Sequence, residues 1–276
     1  MPTIIIIGKR SNLTLNLSKQ LDKATVFSSS DKDNALKVFF NKKINCEKVS
    51  VIFNNFQTSR QLYDNNNLDK YIDNSIFSTS KILMQLDNAK VNIKKVIYTS
   101  SSSVYGNNKF CSETDAVMPM SLQAALKVAN EELIKRFCDA RDIDYTVARI
   151  FNMYGGEDEF SVISKIKNAH INNQSLNIIN EGVAVRDYIH INDVVNVYLK
   201  LLEIETLPKT LNIASGNGKR VHDILNHLKL KGIQIQTVNT KRDELKASIA
   251  NTDLLNTFVN TTNFIQVEDF LLKELQ

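Results

Sequence analysis

Residues 94 to 106 read Lys94-Lys95-Val96-Ile97-Tyr98-Thr99-Ser100-Ser101-Ser102-Ser103-Val104-Tyr105-Gly106, and a helical pattern opens at Ser121-Leu122-Gln123-Ala124-Ala125-Leu126-Lys127-Val128-Ala129-Asn130-Glu131. The β-rich run Val96 to Tyr98 breaks abruptly into serines. A buried parallel strand looks like this where its carboxyl end opens into a site, and in an open α/β sheet that end is where ligands bind. From Leu122 onward Ala125, Val128, Ala129, Ile134 and Phe137 keep helical spacing. Gln123, Lys127 and Glu131 therefore stack on one face, with Gln123 and Lys127 one turn apart.

Toward the amino terminus, Thr3 to Ile7 is a continuous β-branched run followed by Gly8-Lys9-Arg10-Ser11-Asn12-Leu13-Thr14, then helical spacing through Leu15, Leu17 and Leu21. Strand, turn and helix in that order is the placement a dinucleotide-binding turn requires, although an ordinary strand-to-helix turn looks the same. A second strand, Ala24 to Phe27, runs into Ser28-Ser29-Ser30. Val49 to Phe53 is a further strand candidate ending in Asn54-Asn55-Phe56, and an amphipathic helix lies between Asp69 and Leu86. Beyond the central stretch, Tyr145 to Ile150 and Leu211 to Ala214 read as strands.

With 276 residues, 23% charged and 43% hydrophobic, the chain can bury a sizeable core and is not of disordered composition. A net charge of +4 with scattered lysines argues against a nucleic-acid partner. The three Cys, at 46, 111 and 138, show no ligand spacing, so free thiols in a reducing cytosol are expected, and the four His make no metal pattern. The start is too short for a signal sequence or a membrane span.

The run from Val96 to Lys127 resembles the core of the extended short-chain dehydrogenase/reductase superfamily, in its nucleotide-sugar epimerase, dehydratase and reductase branch. There a Ser/Thr-rich strand end closes with Val-Tyr-Gly, and the catalytic Ser or Thr lies four residues before that Tyr, which corresponds to Ser101. A Tyr-x-x-x-Lys pair follows on the next helix. Here the Lys is Lys127, and Gln123 stands in the Tyr position.

The family's Gly-x-x-Gly-x-x-Gly is represented by Gly8, Ser11 and Thr14. The resemblance implies cofactor contacts from Gly8, Arg10, Ser11, Asn12 and Leu13, from Ser28 and Ser29, and from Lys127. An NAD site usually carries an acidic residue after the second strand, where this chain has serines. Arg10 resembles the Gly-x-Arg turn of NADP-dependent reductases, so NADP(H) is favoured over NAD(H). In the competing reading, Lys9 and Arg10 are a solvated loop and Asp31 serves the ribose.

On the substrate side, Arg149 and Asn152 match the family's Arg-x-x-Asn-x-Tyr-Gly segment. Arg186-Asp187-Tyr188-Ile189-His190-Ile191-Asn192-Asp193-Val194 is similar to Arg-Asp-Tyr/Phe-x-His-Val-x-Asp-Val almost residue for residue. This implies substrate contacts from Ser102, Asn152, Arg186 and Arg242, with Arg186 suited to a diphosphate. His190 and Asp193 read as orienting and capping groups, and Asn74, which matches a family Asn, as a structural one.

The expected fold is α/β, a doubly wound Rossmann-type, mostly parallel sheet with a small C-terminal substrate lobe. Residues 1–154 and 178–214 would form the dinucleotide-binding domain, and 155–177 with 215–276 the lobe. A Gln amide does not titrate, so Gln123 can polarise a carbonyl without supplying a proton. Ser102-Ser103, where family dehydratases carry Asp-Glu, disfavours elimination. The expected function is therefore a 4-keto-sugar reductase or epimerase of polysaccharide synthesis, the reductase favoured, with Ser101, Gln123 and Lys127 as the catalytic group. The alternative is a degenerate or deliberately inactivated member that binds a nucleotide sugar without turnover. The partners expected are a nucleotide sugar and, by family habit, a second copy through the helix bearing Lys127, with neither nucleic acid nor membrane.

Overall fold

The computed structural model describes residues 3–22, 24–29, 48–55 and 68–276. Ser30, Asp31, Cys46 and Phe56 lie outside the described residues. The chain divides into two compact units. One comprises Met1–Val104, Pro119–Arg149 and Leu201–Leu211, the other Tyr105–Met118, Ile150–Lys200 and Asn212–Gln276.

The first unit is built from β1 (Thr3–Ile7), α1 (Asn12–Gln20), β2 (Ala24–Phe27), β3 (Val49–Phe53), α2 (Ser78–Asn88), β4 (Ile93–Ser101), α3 (Leu122–Asp139), β5 (Asp144–Ile150) and β6 (Thr210–Ile213). The strands form one sheet in the order β6-β5-β4-β3-β1-β2. The β1–β2, β1–β3 and β3–β4 pairs are parallel, with Ile7 opposite both Phe27 and Phe53, and Phe53 opposite Tyr98. Crossing back through β1 from β2 to β3 gives the doubly wound Rossmann arrangement. Because helices cover parallel strands on both faces, such strands need continuous apolar runs, and Ile5, Ile6, Ile7, Val51, Ile52, Val96 and Ile97 are all fully buried. Each buried side chain of this size contributes roughly 1.5–3 kcal/mol of transfer free energy.

Expected strand positions agree for β1, β2 and β3. The strand read from Val96 to Tyr98 runs further in both directions, as Ile93–Ser101. Thr99 and Ser100 remain in the strand because their buried polar atoms find partners, described below. The helix before β4 enters through Leu68–Ile72 and a π-turn, Asp73–Phe77.

The second unit has a five-stranded sheet. Its path runs Gly218–Arg220, Val185–His190, Ala247–Ala250, Phe110–Cys111, with Asn152–Tyr154 also pairing parallel to Val185–His190. Thr237–Thr240 and Leu176–Ile179 form a separate parallel pair. Its apolar core gathers Tyr154, Ile163, Ile166, Tyr188, Ile224, Leu228 and Leu271.

Candidate active site

The turn after β1 carries Gly8, Arg10, Ser11, Asn12 and Leu13. Gly8 has φ +121°, and a Cβ there would meet the Asn54 carbonyl oxygen at 2.2 Å, so only glycine fits. The Gly8 and Lys9 amides donate to Phe27 O at 2.8 and 3.2 Å, which brings the turn beside Ser28 and Ser29. Ser11 is the N-cap of α1, yet its hydroxyl makes no capping bond, and the first turn of α1 contains no acid. It accepts instead from Asn54 Nδ2 at 2.8 Å, and the same nitrogen donates to Thr14 Oγ1 at 2.9 Å. An α1 amino terminus whose N-cap side chain makes no capping bond, beside a glycine that admits no Cβ, fits the diphosphate of a dinucleotide.

Ser121 caps α3 by accepting from the Ala124 amide at 3.2 Å. The buried face of α3 is unusual in carrying Lys127, Asn130 and Glu131 among Ala124, Ile134 and Cys138. Buried polar groups require partners, and each of these three side chains makes at least one hydrogen bond. Lys127 Nζ donates to Thr99 O at 2.8 Å and lies 5.6 Å from the Tyr98 ring centre. Asn130 Nδ2 donates to Ser75 O at 2.7 Å, in the π-turn, where widened helical bonding releases a carbonyl. Glu131 is held by Arg149 through two bonds, 2.7 and 3.2 Å, and accepts a very short bond from Ser100 Oγ. Burial pulls the Lys127 ammonium down to a pKa of about 7, with Glu131 opposing; burial wins.

Ser101 ends β4 and is half-buried; its Oγ accepts from the Ser103 amide at 3.2 Å, opening the 3-10 turn Ser102–Tyr105. Thus Ser101, Ser102 and Lys127 gather at the carboxyl end of β4. Gln123 is half-buried one turn before Lys127 on the same helix.

In the second unit, Asn152 Nδ2 donates to Asp187 O at 2.9 Å, which ties it to the strand bearing Arg186. Arg186 Nη2 pairs with Glu244 Oε2 at 3.2 Å, and Nη1 donates to Val185 O at 2.9 Å. Glu244 Oε1 also accepts from Asn180 Nδ2 at 3.1 Å. Asn180 clasps the Arg242 backbone on both sides, with bonds of 2.6 and 3.2 Å, while Arg242 itself is exposed. Arg186 and Arg242 therefore belong to one cluster, with Glu244 and Asn180 as its hub. Asn180 has φ +44°, a left-handed conformation that Asn tolerates better than most residues.

Asp187, wholly buried, accepts from the Ser215 amide and hydroxyl, the Gly216 amide and the Ala250 amide. Burial pushes its carboxyl up, against those four bonds, and its role is to fasten three segments together. His190 is likewise an orienting group: Nδ1 accepts from the Asn192 amide at 3.2 Å, and burial lowers its pKa to about 4. Asp193 lies in the first turn of its helix and accepts from the Ile265 amide at 2.9 Å, so it anchors the C-terminal segment. Among the described residues, Asn55 and Asn130, like Asn54, are buried amides that tie elements in the first unit, Asn55 donating to Thr79 at 3.1 Å; Asn74 is only half-buried.

Sequence reasoning did not single out Asn54, Ser100, Glu244 or Asn180 as site-forming. The two asparagines ending β3 were the available sign for Asn54, and Glu244 lies two residues beyond Arg242. Among the described residues, no group of three or more His, Cys, Asp or Glu side chains could hold a metal ion, and no helix is long and apolar enough to cross a membrane.

With strand ends, turn and helix so placed, comparison with known proteins agrees with the geometry. Residues 21–214 match the model of the NAD dependent epimerase/dehydratase family, and the chain belongs to that family. Protein CapI of Staphylococcus aureus is 30% identical over 181 residues, 64% of this chain and about half, 52%, of CapI's length. A putative UDP-glucose 4-epimerase of Methanocaldococcus jannaschii is 26% identical over 229 residues, 79% of this chain and 72% of that protein. Among solved structures, MoeE5 in complex with UDP-glucuronic acid and NAD superposes with a TM-score of 0.84 at 19% identity, covering 99% of this chain and 97% of MoeE5. At that identity the likeness is one of fold.

Proposed function

We propose that the chain is an NAD(P)-dependent reductase of a nucleotide-linked keto-sugar, with NADP(H) preferred. The observation that carries this reading is Gln123, set one helical turn before a buried Lys127 whose amine reaches the end of the strand bearing Ser101. The dinucleotide, when bound, supplies the hydride. Gly8 and the amino end of α1 would hold its diphosphate, and Lys127 its ribose. The Ser101 hydroxyl would donate to the sugar carbonyl oxygen, with the Gln123 amide as a second donor. Neither side chain can take a proton from a sugar hydroxyl at neutral pH, and the Lys127 amine is already directed at Thr99 O, so the first step of an epimerase is disfavoured. A sugar that arrives already oxidised needs only one proton, which water can give.

Arg10 is exposed on a turn held beside Ser28 and Ser29, an arrangement suited to a 2′-phosphate. The Arg186, Arg242, Glu244 and Asn180 cluster offers two guanidinium groups for a diphosphate and a carboxylate and amide for hydroxyls. A structural neighbour, MoeE5, is solved with UDP-glucuronic acid and NAD, which supports a nicotinamide dinucleotide and a nucleotide sugar as the two ligand classes.

The test compares the unaltered chain with Gln123→Tyr for NADPH and NADH oxidation against a panel of nucleotide-linked 4-keto sugars. Slow turnover in the unaltered chain, raised about 10²- to 10⁴-fold by the tyrosine, is expected, because that is the usual worth of a positioned acid. Cofactor binding without oxidation by either protein would make the chain a binding protein instead.

A further inference from the structure

The turn departs from glycine at two positions, Ser11 and Thr14, and a single side chain meets both departures. Asn54 is 5% exposed, and its Nδ2 lies 2.8 Å from Ser11 Oγ and 2.9 Å from Thr14 Oγ1, while its backbone oxygen sets the floor under Gly8. We propose that Asn54 is the positioning residue of the dinucleotide turn, holding both hydroxyls clear of the diphosphate path and turning the Ser11 proton toward it. The inference rests on the dinucleotide reading above.

The direction of the proton follows from the chemistry of the groups. An amide nitrogen only donates, so Ser11 Oγ and Thr14 Oγ1 can only accept from it. Each hydroxyl has one hydrogen, and that hydrogen lies off the line to Asn54. Thr14 is buried, at 1% exposed, whereas Ser11 is half-buried at the mouth of the turn and makes no capping bond to α1. Ser11 can thus offer a side-chain O–H where glycine offers only backbone. Held sideways by Asn54, its Oγ also stays out of the space that a middle glycine would leave open.

The experiment is a double-mutant cycle read by NADPH fluorescence titration, with thermal melting alongside. Asn54→Leu removes both bonds at nearly constant volume and is expected to weaken NADPH binding about tenfold or more. In the Ser11→Gly/Thr14→Gly background, where there is nothing to hold, the same change is expected to cost less than about threefold. Asn54→Asp repeats the cycle with the shape kept and the polarity reversed, and serves if the leucine variant does not fold. Its loss must likewise shrink in the glycine background, because simple charge repulsion would persist there. Equal losses in both backgrounds, or no loss in either Asn54 variant, would overturn the role of Asn54 while leaving the dinucleotide reading intact. Failure of the unaltered chain to bind NADPH or NADH would remove both.

Discussion

At Lys127 the cost of burying an ammonium is only partly offset by Glu131, whose oxygens are already engaged by Arg149 and Ser100. The sign of the pH effect follows. Between about pH 7 and the ordinary lysine value of roughly 10.4 the folded amine is neutral and the unfolded one charged, so the unfolded state binds more protons and stability rises with pH. Below that window both states hold the proton and the slope vanishes. Urea midpoints measured from pH 7 to 9 should rise, and Lys127→Met should flatten the rise. His190 acts at the acid end: its folded pKa of about 4 lies below the ordinary 6.5, so the stability it contributes is present above 6.5 and lost as pH falls through 4. A His190→Asn variant, which keeps an acceptor for the Asn192 amide, should show a shallower acid unfolding curve over that window. Lys127 was legible through the resemblance to the family's Tyr-x-x-x-Lys pair, and its four-residue interval after Gln123 fixed a shared helical face. Asn54 was not, since an asparagine that ends a strand reads first as a turn residue.

At the scale of elements, α3 is bound to the sheet through polar contacts as well as apolar ones, Ile134 and Cys138 sharing a buried cluster with Val96, Tyr98 and Val147. Removing one partner of a buried ion pair leaves the other uncompensated at a cost of about 3–5 kcal/mol, whereas removing both can be nearly neutral. Arg149→Met should therefore destabilise the protein by about that much in chemical denaturation, and Glu131→Met combined with Arg149→Met should recover most of the loss. An equal loss in the double variant would show that the pair is not a unit. Long apolar strands such as Thr3–Ile7 and Val49–Phe53 could be read directly, because buried parallel strands admit few polar residues. The short strands Asn152–Tyr154, Phe110–Cys111 and Gly218–Arg220 could not, because two or three residues carry no period. Ser100 is buried inside β4 with its hydroxyl donating to Glu131, a partner distant in sequence.

For the whole molecule, ligands that bind only the folded chain must stabilise it, by roughly 2.7 kcal/mol at one hundred times Kd, and so raise its melting temperature. NADPH should do so in the unaltered chain and not in Gly8→Ala, where the added Cβ meets the Asn54 carbonyl. A nucleoside diphosphate should do so through Arg186, and Arg186→Met should abolish that response while sparing the response to NADPH. The most direct measurement follows the label from nicotinamide-deuterated NADPH into a nucleotide-linked 4-keto sugar by mass spectrometry of the product. One deuterium per reduced sugar, with one NADPH consumed, is the predicted result. An unlabelled epimer formed with no net loss of NADPH would contradict it.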